Sequence, residues 1–263
     1  MDNRLAVSAD RRHLFIGGLH RSGTSLLHAT LRAHPEISGF AGTGVPEDEG
    51  QHLQTVFPIG LAFGGPGRFG FDPRAYMDEN HPLATPASAA ILAAEWGRYW
   101  DLTKPVLVEK TPLNLVRMRF FQKLFPDARF ILLLRHPVVV AFATWKFTGL
   151  PIHFLIDHSL RCYERALADA PALNHFHRVH YEQLMAAPQA AVDGILRFAG
   201  VGEFKVGDAM VRDSNPEYFA EWQRERTYVL ANAEAEQPGW LARTVARCRA
   251  LGYTLDSPEW VGK

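Results

Sequence analysis

Residues 13–27, reading HLFIGGLHRSGTSLL, restrict this chain more than any other stretch. A short apolar run passes through a glycine-bearing turn into a run of helix formers. Gly18 and Gly23 have the spacing of the phosphate-cradling pattern G-x-x-x-x-G-K-[ST], with Ser25 in the hydroxyl position. Glycines let such a turn curl tightly, so that successive N–H groups and the positive end of the following helix face an anion. Thr24 stands where the lysine of that pattern belongs, so the ammonium that follows the β- and γ-phosphates of a nucleoside triphosphate is missing. Arg21 puts a cation inside the loop instead. The turn is expected to bind an anion, though not ATP or GTP in the usual way.

The rest of the pattern extends this strand–turn–helix into a layered fold. Residues 13–18 read as a buried strand and 23–33 as a helix ended by His34-Pro35, since the residue before proline avoids the α region. Strands follow at 106–109, at 129–134 (RFILLL, the continuous apolar look of a strand covered on both faces) and at 176–180. Between them the periodicity predicts helices at 86–101, 113–124, 137–146, 159–168 and 188–199, with Gly200 at a C-cap and a last helix at 238–251. Strands alternating with helices predict an α/β chain, a P-loop type three-layer fold with a central parallel sheet flanked by helices. The 263 residues fit a single domain over 1–263. In such sheets ligands bind beyond the carboxyl ends of the strands, and Arg21, Lys110 and Arg135 each fall just after a predicted strand.

Residues 40–76 break the pattern. They carry Glu47-Asp48-Glu49, several glycines and the aromatics Phe63, Phe69, Phe71 and Tyr76, too many rings for a solvated linker. The region from about 40 to 100 is expected to be an insertion forming a wall or lid over an acceptor site, with Phe63, Phe69, Phe71 and Trp96 lining an apolar pocket.

The formal charge is zero, from 28 basic and 28 acidic residues, so nothing points to nucleic acid or a charged membrane surface. Charged residues break up the start, and no apolar run reaches the roughly 18 residues of a spanning helix. Two distant cysteines, Cys162 and Cys248, suggest a reduced, cytoplasmic protein without stable membrane insertion. His175, His177 and His180 lack the cysteine or aspartate partners of a zinc site, and no metal is expected.

The Arg-Ser-Gly-Thr-Ser run resembles the 5′-phosphosulfate loop of sulfotransferases that use 3′-phosphoadenosine 5′-phosphosulfate (PAPS) and leave 3′-phosphoadenosine 5′-phosphate (PAP). In family order, Glu109-Lys110-Thr111-Pro112 is similar to the Lys-Asp-Pro and Glu-Lys-Thr-Pro segments of tyrosylprotein and bacterial sulfotransferases. Residues 130–137, ending Arg135-His136-Pro137, resemble the 3′-phosphate motif, and Tyr181-Glu182-Gln183-Leu184 the Tyr-Glu-x-Leu segment beside the adenine. Gly239-Trp240-Leu241 and Leu251-Gly252-Tyr253 are similar to the C-terminal helix region.

The resemblance implies sulfuryl transfer from PAPS to a hydroxyl of a small molecule, glycan or lipid, in line and with a glutamate base. It implies His20, Arg21, Ser22, Gly23, Thr24 and Ser25 around the phosphosulfate, with Arg21 and Lys110 supplying charge to the leaving group. The base is read as Glu49, because Gly50 permits a tight turn there. Glu47, His52 and His20 stand as alternatives. Arg135 is expected on the 3′-phosphate and Tyr181 by the base. The family's serine eight residues after that arginine is Ala143 here. Thr144 is the candidate hydroxyl beside it, about 100° further round the helix. Two other readings stay open: a P-loop kinase or nucleotide hydrolase, which needs a lysine at 24 and a metal-binding aspartate, and a non-catalytic nucleotide-binding module, suggested by Ala143.

Overall fold

The computed structural model describes residues 11–207 and 213–262. Five parallel strands, β1 (Arg12–Gly17), β2 (Ile37–Gly39), β3 (Val106–Lys110), β4 (Arg129–Leu134) and β5 (Phe176–His180), form one sheet in the order β2-β3-β1-β4-β5. The central strand, β1, leads into the glycine turn, and its two neighbours end on Lys110 and one residue before Arg135. Three charged strand ends are thereby brought to one edge of the sheet.

Alternation along the strands divides the core in two. Phe15, Leu107, Phe130 and Leu132 point into one half. Leu14, Ile16, Val108, Ile131 and Leu133 point into the other. Helices α1 (Thr24–Arg32), α6 (Tyr181–Ala186) and α7 (Pro188–Ala199) cover the second face through Leu27, Leu31, Leu184, Val192 and Ile195. Helices α2 (Pro86–Trp96), α3 (Met118–Leu124), α4 (Pro137–Thr148) and α5 (Ile152–Asp169) pack into the first, where Phe15 and Phe121 stack at 4.5 Å. Each buried side chain of this kind contributes roughly 1.5–3 kcal/mol relative to exposure. The α/β, three-layer expectation agrees with this architecture.

Several local expectations change. The helix expected over 113–124 starts as a 3-10 turn, Pro112–Val116, and becomes α-helical only after Arg117. That arginine is buried and donates to the carbonyls of Ala75 and Pro58. Helix α5 begins seven residues earlier than its periodicity suggested. The edge strand β2 and the 22-residue helix α8 (Asn215–Glu236) were not legible, α8 because its surface is mostly polar. Helix α9 (Trp240–Ala250) closes the fold.

The 40–76 segment is a series of short 3-10 turns packed into the main core. Phe69 and Trp96 are fully buried, and Phe63 nearly so. Phe71 is half-buried, packed against Phe154 at 4.6 Å, and lines a surface cavity together with Phe63. Trp96 donates to the Gly50 carbonyl at 2.9 Å and so helps to fix the acidic turn.

Candidate active site

The glycine turn is held open by its backbone. Gly18 touches the neighbouring strand so closely that a β-carbon would lie 2.8 Å from the Leu133 carbonyl oxygen. Gly23 has a φ of 97°, and a β-carbon there would sit 2.8 Å from Tyr181 Cδ2. Arg21, at φ 67°, shares this left-handed geometry without glycine's freedom, a strain of the kind that clusters at ligand sites. Helix α1 has no side-chain cap, and its first ladder bond runs from Leu27 N–H to Gly23 O at 3.0 Å. The N–H groups of Thr24, Ser25 and Leu26 therefore precede the ladder and offer donors, together with the helix dipole, to an anion. Ser22 differs from the expectation. Its Oγ and its N–H both donate to Leu19 O, at 2.6 and 3.0 Å, so it shapes the turn and is not left to bind a ligand.

A second group gathers around Lys110. Its ammonium, 1% exposed, donates to Glu49 Oε1 at 3.1 Å and to the Glu47 carbonyl at 3.0 Å. Glu49 accepts from Gln51 Nε2 through its other oxygen. Behind them lies a residue that sequence reasoning passed over, Glu109. It accepts from Gly50 N–H (2.9 Å), Thr111 Oγ1 (2.6 Å) and Asn114 Nδ2 (2.5 Å), and burial pushes its carboxyl up to about 7. Gly50 is thus fixed at both ends, its N–H by Glu109 and its carbonyl by Trp96. Glu47 is exposed and accepts from Ser25 Oγ at 2.9 Å, which links the acidic turn to the start of α1. Glu47 and Asp48 have φ of 53° and 49°, and Asp48 is held by Thr43 and Gly42. Hydrogen bonds from Thr43 keep the Asp48 carboxyl below its ordinary range.

The third group surrounds Arg135. Its guanidinium lies 4.0 Å above the Tyr181 ring and donates to Asn215 Oδ1 (2.7 Å), Arg21 O (2.7 Å) and Ser214 Oγ (2.9 Å). Glu182 ties the strand end to α8: one oxygen accepts from His136 N–H and Asn215 Nδ2, both at 2.9 Å, and the other from Tyr253 OH at 3.0 Å. Tyr181 lines the cleft, with the Arg135 guanidinium against its ring.

One cleft of about 650 Å³ joins these groups, with His20, Arg21, Gly23, Thr24, Ser25, Glu47, Glu49, Arg135 and Tyr181 on its walls. Lys110 lies just behind Glu49. Burial and the nearby Lys110 charge hold His20 neutral, its pKa lowered to about 4. His52 is not on the wall. Nor is Thr144, which is buried against the Gly67 side, because the next position on a helix faces a different way. The cleft adds Lys146, Phe147, Ser214 and Tyr218, which the motifs did not indicate. Lys146 and Phe147 lie one helical turn after Ala143, and that spacing was the available signal.

A parallel sheet with an uncapped helix start and buried cations at adjoining strand ends defines an α/β protein with a polar cleft beyond its strand ends. The chain belongs to the sulfotransferase family, whose model matches residues 13–205. It is 27% identical over 208 residues to protein-tyrosine sulfotransferase 2 of Gallus gallus, covering 72% of this chain and 51% of that protein. It is 26% identical over 248 residues to nodulation protein NoeE of Sinorhizobium fredii, covering 78% and 53%. The chain spans about half the length of these relatives. The crystal structure of a sulfotransferase from Alicyclobacillus acidocaldarius superposes with a TM-score of 0.50 over 92% of this chain and 95% of that one, at 18% identity, a likeness of fold. Among the described residues no helix is long and apolar enough to cross a membrane.

Proposed function

We propose that this chain is a PAPS-dependent sulfotransferase that transfers a sulfuryl group to a hydroxyl of a small-molecule, glycan or lipid acceptor, with PAP as product. The observation that carries this reading is the union, on one cleft, of the uncapped α1 start, Glu49 with Lys110 paired behind it, and Arg135. Those residues fit a nucleotide charged at both ends: the turn and Lys110 suit a phosphosulfate, and Arg135 a second phosphate. Bound there, PAPS supplies an activated sulfuryl group whose S–O bond to phosphate breaks as the acceptor oxygen bonds to sulfur.

The chain's residues then have three tasks. The N–H groups of Thr24, Ser25 and Leu26, with the Ser25 hydroxyl, hold the 5′ end. Arg21 and Lys110 neutralise the charge that grows on the departing phosphate oxygen. Glu49, oriented by Lys110 and Gln51, takes the acceptor's proton, and its fixed backbone sets the in-line approach. Ser25 exchanges its Glu47 partner for phosphate as the donor binds. The acceptor enters beside the 40–100 segment of the single domain, where Glu47 and Glu49 reach the cleft.

Labelled PAPS offered with a panel of phenolic, glycan and lipid alcohols tests the activity, alongside calorimetry with PAP, ADP and GDP. Transfer to one class, with PAP bound far more tightly than either diphosphate, is the expected result. Equal binding of GDP, or phosphoryl transfer from a triphosphate, overturns it.

A further inference from the structure

The Arg135 pole of the cleft is short of donors for the group it is read to hold. Three of the guanidinium's five N–H donors are committed to Asn215, Arg21 and Ser214 inside the protein. Two remain without a partner among the described residues, against a phosphate monoester that carries close to two negative charges at neutral pH. The cleft wall also carries a methyl group, Ala143. The same face of α4 supplies a second cation one turn later, Lys146, whose ammonium stands 4.4 Å over the Tyr218 ring and 3.0 Å from Glu221 on α8. Its side chain is 48% exposed, so this ion pair is solvent-screened and cheap to exchange. Lysine carries its charge on a four-carbon stem and can turn from Glu221 into the cleft without moving the helix.

We propose that Lys146 is a specificity-determining residue that binds the nucleotide's 3′-phosphate together with Arg135 and the Ser214 hydroxyl, in place of a hydroxyl at position 143. This rests on the reading of the cleft as a PAPS site. The small Ala143 side chain leaves room for the ammonium to approach, and Tyr218 guides it from one side by cation–π attraction. The ion pair with Glu221 is then the resting partner that the phosphate replaces.

Calorimetry with PAP and with 5′-AMP, which lacks only the 3′-phosphate, separates the possibilities. Lys146→Gln is expected to weaken PAP about tenfold or more while 5′-AMP changes less than about twofold, a selective loss of roughly 1.4 kcal/mol. Lys146→Arg is expected to keep PAP affinity, and Ala143→Ser added to Lys146→Gln to recover part of it. Equal losses for both nucleotides, or no loss for PAP, overturn the assignment of Lys146. A wild-type chain that binds PAP no better than 5′-AMP overturns instead the reading of the cleft on which it rests.

Discussion

Glu49 and Lys110, 61 residues apart in the chain, meet as a buried ion pair at 3.1 Å. A turn and a strand end become one chemical unit through this contact. The lysine that would neutralise a leaving group also fixes the carboxylate that would accept a proton.

Breaking this pair on one side leaves a charge in a place with little water. Lys110→Met is expected to cost about 3 kcal/mol of stability, and Lys110→Met with Glu49→Leu to restore much of it. Denaturant melts of the two variants measure this. A single variant as stable as wild type contradicts the buried pairing.

Glu49→Gln keeps shape and hydrogen bonding but cannot take a proton. Sulfuryl turnover is expected to fall about 10²–10⁴-fold while PAP affinity stays within a few-fold. Glu47→Gln and His52→Ala are expected to retain most activity. Initial rates under saturating donor decide, and an active Glu49→Gln beside a dead Glu47→Gln reverses the assignment of the base.

Acid sensitivity follows from buried neutral imidazoles. Burial lowers His13, His20 and His136 to about 4, and His28 and His158 to about 3. Unfolded, they titrate near 6.5, so the unfolded chain binds more protons below that pH and stability is lost as pH falls from about 6.5 towards 4. For fully buried His136, whose Nδ1 accepts from Val138 N–H and whose Nε2 faces Thr254 O, the loss reaches roughly 3 kcal/mol. Glu109, raised to about 7, works in the opposite sense between about 7 and 4.5, and Glu182, raised by burial, does so too, but these are two carboxyls against six histidines, since burial also lowers His180 to about 4. Circular dichroism on acid titration is expected to register unfolding above pH 4. A fold intact at pH 4 counts against neutral buried histidines.

Gly23→Ala puts a side chain where φ is 97° and a β-carbon would meet Tyr181 at 2.8 Å. The strain and the contact are expected to cost about 1–3 kcal/mol and to displace the turn. A lower melting temperature together with weakened PAP binding is the expected pair of results, and an alanine variant that matches wild type in both removes the argument.

Much of the fold was legible because its signals are local. Continuous apolar runs marked β1, β3 and β4, the glycine turn announced the start of α1, and Lys110 and Arg135 followed strand ends. The polar surface of α8 carried no clear period, and β2 is three residues long, so neither stood out. Position 144 was a matter of helix phase. A hydroxyl beside Ala143 in the chain faces the core in space, whereas Lys146 returns to the cleft.

By itself the sequence determined the parallel sheet, the anion-facing turn and the strand-end cations, since periodicity and glycine spacing are properties of neighbouring residues. Only the tertiary structure decided that Glu49 pairs with Lys110, that Glu109 clamps the acidic turn, that Ser214 and Asn215 hold Arg135, and that Phe69 and Trp96 are buried in the core. Those outcomes depend on contacts between distant segments, where burial and hydrogen-bond geometry, not local propensity, set the balance.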